Sequence, residues 1–212
     1  ARAIVGDDAM RRGGLVQAHG TGTPQNRVTE SLILSRVAGA FRIRDWPVAA
    51  IKAYLGHSLG AASGDQVAAT LGTWSRGILP GIVTTRALAD DVATDGLSFS
   101  LSHRELDPET QRYALINAKG FGGNNASATL LSPGQTRDML TARHGVRALD
   151  AWKKSHEKVE RAQQEREAQV MAAEAPPRYR FDFGVLGDGE VRIDGDEISI
   201  GGPTVSLRPA NP

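Results

Sequence analysis

The chain reads as an α/β fold in which helices pack on a mixed sheet, and three observations predict it. Short apolar runs alternate with segments of helical period over roughly the first 130 residues. The last two of those runs are joined by a glycine-rich turn, which marks an antiparallel pair among otherwise crossover-linked strands. The composition, 40% hydrophobic and 23% charged over 212 residues, is that of a globular chain able to bury one good-sized core.

In order along the chain, ARAIVGDDAMRRGG reads as the end of an interrupted helix. Leu15–Ala18 is a first strand. Thr29–Phe41 is a helix, with Leu32, Ile33, Arg36, Val37 and Ala40 at helical spacing. Pro47 ends the connection, and Val48–Leu55 is a second strand. Ala61–Arg76 is a helix of small residues, closed by Gly77 and Pro80. Leu97–Leu101, Tyr113–Asn117 and Ala126–Leu131 follow as strands, the last two flanking GFGGNN as a hairpin-like pair.

Three zones result: an α/β domain over 1–132, a charged helical extension over 133–177 and a small β appendage over 178–212. In the second zone Lys153, Glu157, Arg161 and Glu165 alternate in sign at i,i+4, a solvated stripe stopped by Pro176 and Pro177. In the third, Tyr179, Phe181, Phe183 and Val185 alternate, then Val191 and Ile193, then Ile198 and Ile200. Asp-Gly pairs at 188–189 and 194–195 supply turns for a meander. The acidic residues around those turns lack the ligand spacing of a calcium loop, and no metal is expected.

Charge and composition exclude several classes. Lys and Arg number 25 against 24 Asp and Glu, so nothing calls for nucleic acid or an anionic membrane surface. No apolar run has the length of a membrane span, and the N-terminus is no signal peptide, which fits a cytoplasmic enzyme or domain. The absence of cysteine removes disulfides, thiolate metal sites and a cysteine nucleophile within this chain.

His19 in AHGTGT and His57 in KAYLGHSLGAASG each follow a predicted strand and sit among small residues, where substrate and backbone can approach closely. His103, His144 and His156 lie in loop-like or charged helical settings and read as surface residues. GHSLG also fits the nucleophile-elbow pattern. Ser58 would be the nucleophile, the acid one of Asp90, Asp91, Asp95 and Asp107, and His103 the base. The short separation of Ser58 and His103 weighs against that serine-hydrolase reading, which stays open here. Phosphate cradling is weaker still, because no G-x-G-x-x-G opens a helix and no Walker lysine follows.

AHGTGTPQN (18–26), KAYLGHSLGAASG (52–64) and NAKGFGGNNA (117–126) together resemble the three signature segments of the C-terminal half of β-ketoacyl-acyl-carrier-protein synthases. The resemblance covers residues 1 to about 132. It implies a thiolase-like fold, usually homodimeric, and a decarboxylative Claisen condensation of malonyl-carrier protein with an acyl thioester in fatty acid biosynthesis. No cofactor is implied, since the substrates ride on the phosphopantetheine of acyl carrier protein or coenzyme A.

By the same resemblance His19 and His57 are the two histidines of a Cys-His-His site, and Lys52 pairs with Glu30 as their support. Thr21 and Thr23 bond the pantetheine arm. Phe121 gates acyl entry, with freedom from Gly122 and its neighbours. Arg27, where the family has aspartate, and Asn124, where it has threonine, depart from the pattern. The nucleophilic cysteine belongs to the family's N-terminal half, so the chain is expected to be the C-terminal piece of a longer polypeptide and to work with that half. A non-catalytic ketosynthase-like partner is the alternative from a different class.

Overall fold

A computed structural model describes residues 1–176, 184–187 and 189–208. The expected strand residues Tyr179, Phe181 and Phe183, with Pro177 and Asp188, lie outside the described residues.

The chain opens with helix α1 (Arg2–Arg12), interrupted at Gly6, and enters strand β1 (Gly14–Gln17). Helix α2 spans Pro24–Phe41, five residues longer at its start than its apolar spacing predicts. Pro24 sits in the first turn, where its fixed φ suits a helix and its missing N–H costs nothing. That early start puts Asn26 and Glu30 one turn apart on the buried face.

Strand β2 (Trp46–Ala49) is shorter than predicted, and Lys52–Leu55, expected as its continuation, forms the helical turn α3. The backbone bends at Ala50 and Ile51, whose carbonyls accept N–H groups from Ala53 and Tyr54. Lys, Ala and Leu there favour a helical turn, and only Tyr54 leans toward a strand. A 3-10 turn then leads into α4 (Ala62–Arg76), which ends at Gly77 as predicted. After it come β3 (Ile78–Leu79), β4 (Leu97–Phe99), β5 (Arg104–Glu105), β6 (Tyr113–Lys119) and β7 (Asn125–Leu131).

The main sheet has the order β4-β2-β1-β6-β7. Its first four strands are parallel, and β7 returns antiparallel to β6, pairing Tyr113 with Leu131 through to Lys119 with Asn125. It is therefore mixed, as expected. The two-residue strands β3 and β5 form a separate ribbon that the sequence pattern did not mark.

Alternation along the central strands sends side chains to two cores. Val16, Val48 and Trp46 meet Met10 of α1 with Leu34 and Ala38 of α2 on one face. Leu15, Ala49, Ala114 and Ile116 meet Trp74 of α4 on the other. Strand β1 is buried along its whole length, the condition of a parallel sheet covered on both sides.

The chain divides into two compact units, 1–152 and 153–212. The first includes α5 (Pro133–His144), capped by the Ser132 hydroxyl, which accepts the Gln135 N–H, and its boundary falls within the next helix. Helix α6 (Val146–Met171) carries the alternating charges of Lys153, Glu157, Arg161 and Glu165 on exposed positions. The second unit contains an antiparallel meander, β8 (Val191–Asp194), β9 (Glu197–Ile200) and β10 (Thr204–Ser206), in the order β10-β9-β8.

Gly14 shows how closely β1 and β6 approach. A Cβ there would lie 2.2 Å from the Tyr113 ring, and that ring is anchored by its hydroxyl to the Met10 carbonyl at 2.9 Å. Gly14→Ala is therefore expected to lower unfolding free energy by about 1–3 kcal/mol, the usual cost of overpacking. Urea denaturation of the two proteins checks it, and equal midpoints would refute the close fit.

Candidate functional site

His19 lies two residues past the end of β1 and is 7% exposed. Its backbone is fixed before its ring is considered. The His19 N–H donates to Glu30 Oε1 at 2.7 Å and the Gly20 N–H to Glu30 Oε2 at 3.0 Å. The His19 carbonyl accepts from Lys52 Nζ at 2.6 Å. Gly20 has φ +57°, and a Cβ on it would stand 2.8 Å from the Ala50 Cβ, so glycine is required on both counts.

Glu30 receives two further N–H groups, from Asn26 Nδ2 at 3.0 Å and Asn117 Nδ2 at 2.6 Å. Four donors fill the lone-pair sites of a buried carboxylate. The expected ion pair between Lys52 and Glu30 is thus replaced by an indirect one: among the described residues no ion pair joins them, and both hold the peptide between His19 and Gly20. Burial pushes the Lys52 ammonium below its ordinary range, with Glu30 and Asp65 opposing that shift.

The two rings are held alike. His19 Nδ1 accepts the Lys119 N–H at 3.2 Å, and His57 Nδ1 accepts the Leu59 N–H at 3.0 Å. Leu59 takes a left-handed φ of 54° to point that N–H back. An Nδ1 that accepts cannot carry the proton, so each neutral imidazole has it on Nε2. The ring centroids are 5.3 Å apart at an interplanar angle of 77°. Among the described residues neither Nε2–H has an acceptor. Burial, then Lys52, holds the His19 imidazole below its ordinary pKa, so it is neutral at pH 7.

The other expected residues are spread around this pair. The Thr21 and Thr23 hydroxyl oxygens lie 3.4 Å apart on the loop before α2. Phe121 is 87% exposed on the turn between β6 and β7, where Gly122 has φ 75° and the Asn124 side chain donates to the Phe121 carbonyl at 3.1 Å. Arg27 forms a two-pronged pair with Asp91, Nε to Oδ1 at 2.7 Å and Nη2 to Oδ2 at 2.9 Å. Its charge is answered by an acid 64 residues away.

The hydrolase arrangement is not assembled. The Ser58 hydroxyl bonds Asp65, while His103 stacks on Tyr54 and accepts the Gly81 N–H. Among the described residues Ser58 has a carboxylate beside it and no base aligned by a third group.

Two residues escaped the sequence reading. Gln66, fully buried on α4, donates through one amide nitrogen to the carbonyls of Gln17 at 3.1 Å, Ala18 at 2.7 Å and Asn117 at 3.0 Å. It ties the ends of β1 and β6 where His19 and Lys119 emerge. The only available signal was a glutamine in a helix of small residues. Lys119, on β6, supplies the N–H to His19 and bonds Thr29 through Nζ at 2.7 Å.

Residues 10–86 match the family described as beta-ketoacyl synthase, C-terminal domain. The chain is 42% identical over 199 residues to the beta-ketoacyl-[acyl-carrier-protein] synthase FabY of Pseudomonas aeruginosa, covering 94% of this chain and 31% of that protein. It is 32% identical over 115 residues to a 3-oxoacyl-[acyl-carrier-protein] synthase 2 of Vibrio cholerae, 54% of this chain and 27% of that protein. The crystal structure of the FabY ketosynthase of P. aeruginosa superposes with a TM-score of 0.80 at 40% identity, covering 99% of this chain and 33% of that one. The fold is that of the thiolase-like ketosynthases. The chain spans about a third or less of the length of the curated relatives it matches. The match to FabY extends through the helical and β tail.

The folded pKa of His19 is below its unfolded value of about 6.5, so the unfolded chain takes up the proton first and stability is lost as pH falls below about 6.5. His19→Gln removes that loss, so melting temperatures of the two proteins converge between about pH 7.5 and 5; parallel curves would contradict it. Gln66→Leu removes the donor shared by the Gln17, Ala18 and Asn117 carbonyls and is expected to cost about 1–3 kcal/mol, read from urea denaturation; an unchanged midpoint would refute the tie.

Proposed function

The chain carries the C-terminal domain of the β-ketoacyl synthase family, and from that premise we propose that it supplies the oxyanion-stabilising half of a decarboxylative condensation site. The observation that carries this reading is the pair of adjacent imidazoles, each with Nδ1 occupied by a backbone N–H and Nε2–H left to donate.

In the reaction, the bond between the malonyl carboxylate and its α-carbon breaks and CO₂ leaves. The electron pair moves toward the thioester carbonyl, and negative charge collects on its oxygen. Two preoriented neutral N–H donors stabilise that charge without having to reorganise. The enolate carbon then attacks the carbonyl of an acyl group held as a thioester on a cysteine. The tetrahedral intermediate collapses and expels the cysteine thiolate. This chain has no cysteine, so the nucleophile comes from the other half of the polypeptide.

His19 and His57 are the catalytic residues in this reading. Lys52 and Glu30 act through the His19 backbone and are positioning residues. Thr21 and Thr23 bond the phosphopantetheine arm of an acyl carrier protein, and Phe121 with Gly122 forms the gate beside the cysteine. The parent protein works in fatty acid synthesis, as a cytoplasmic homodimer, on substrates delivered by acyl carrier protein. A ketosynthase-like subunit without catalysis would have no need for two imidazoles held in the same donor tautomer.

The test uses the full-length protein that contains this chain. His57→Ala is expected to slow malonyl decarboxylation by roughly 10²–10³, the usual effect of losing one such donor, while acylation of the cysteine persists. Mass spectrometry of the acyl-enzyme and release of labelled CO₂ separate the two steps. An unchanged decarboxylation rate would remove His57 from the role assigned here.

A further inference from the structure

At the end of the sheet remote from His19, the segments that lead into the strands carry a charge cluster that the condensation does not use. Arg11 and Arg12 come from the last turn of α1, Arg42 and Arg44 from the link between α2 and β2, and Arg104 from β5. All five line one cleft of about 470 Å³, with Asp45 as its single carboxylate. The whole chain has a formal net charge of only +1, so this is a strong local segregation of charge. The cleft borders Gly14 at the start of β1, five residues and roughly 16 Å of extended chain from His19.

Internal pairing accounts for part of the cluster. Arg104 is committed, with Nη2 on Asp45 and Nη1 on Ser98, both at 3.1 Å. Arg11 and Arg12 reach Asp8 at 3.9 and 3.5 Å, loose pairs on an exposed helix end. Asp7, the other nearby acid, pairs with Arg2, and the charges of Arg11 and Arg42 also act on it. Arg42 and Arg44 have no hydrogen bond or ion pair from their side chains among the described residues.

Attraction to the carbonyl end of a helix explains Arg11 and Arg12, but not Arg44, which lies beyond the last turn of α2. Arg42 stands at the C-terminal cap with φ 58°, where glycine or asparagine is the unstrained choice. An arginine there carries a charge into the cleft at the expense of backbone ease.

We propose that this cleft binds a small anion with adjacent phosphate groups, of the pyrophosphate or nucleoside diphosphate class. A guanidinium presents a planar fork of N–H donors that fits phosphate oxygens two at a time. The cleft volume lies in the range of small-molecule sites. The arginines converge from three segments on a concavity, which suits a compact polyanion better than an extended acidic chain. The inference is independent of the catalytic reading.

The experiment titrates inorganic pyrophosphate, ADP and adenosine into the full chain, followed by amide NMR and calorimetry. Pyrophosphate and ADP are expected to bind, shifting amides at 11–14, 42–45 and 104–111 while leaving Gly20 and Lys119 unmoved; adenosine is expected to shift none. Equal affinity for the two anions assigns recognition to the phosphates alone, and tighter ADP binding adds a contact to the nucleoside. The double variant Arg42→Asn, Arg44→Gln should weaken pyrophosphate roughly tenfold or more, with asparagine keeping the left-handed cap. Arg12→Gln gives an independent reading if the double variant does not fold. The proposal is overturned by absent pyrophosphate binding at millimolar concentration, by unchanged affinity in the variants, or by shifts located elsewhere. It is overturned equally by a polyglutamate peptide that binds the cleft more tightly than pyrophosphate.

Discussion

The peptide between His19 and Gly20 is held between opposite charges, and the rest of the site depends on that grip. Lys52 takes its carbonyl at 2.6 Å and Glu30 its N–H at 3.0 Å. An isolated buried charge costs several kcal/mol, on the order of what a whole domain can lose before unfolding. Here each charge is answered without direct contact, through a polarised peptide and, for Glu30, three further N–H donors. The constraint propagates outward. α2 must begin at Pro24 for Asn26 and Glu30 to share a face. β2 must end at Ala49 for Lys52 to turn back, and β6 must run on to Asn117 and Lys119.

Fixing the backbone fixes the chemistry of the ring. With His19 immobilised, the Lys119 N–H meets Nδ1 and leaves the proton on Nε2. His57 reaches the same tautomer by a different route, a left-handed Leu59 that folds its own N–H back within two residues. One donor is thus set by a contact across 100 positions and the other by a local turn. Burial and the neighbouring Lys52 both disfavour a second proton on His19. Both effects keep the ring a neutral N–H donor beside a cation.

The sheet separates two kinds of surface. At the ends of β1 and β2 where the chain leaves them, glycines and small residues let backbone and imidazoles come close. At the ends where the chain enters, helix C-termini and short links present arginines. Parallel strands make this division natural, since all loops of one sense gather on one side. Gln66 serves the first side from within, holding the ends of β1 and β6 together through three carbonyls.

The sequence by itself determined the order of the five main-sheet strands with α2 and α4, the antiparallel return at GFGG, and the two histidines that the fold brings within 5.3 Å. Those features are local: they rest on apolar period, turn residues and short motifs that a few neighbouring side chains decide. The tertiary structure alone decided that Lys52 and Glu30 meet through the His19–Gly20 peptide, that Arg27 is answered by Asp91, that Val48–Leu55 is half strand and half helical turn, and that Gln66 and Lys119 belong to the site. Each of these depends on a hydrogen bond or a chain direction set by residues tens of positions away. The residue types involved also serve as ordinary surface polar groups. Their meaning lies in the geometry of what they face, which no period or spacing encodes.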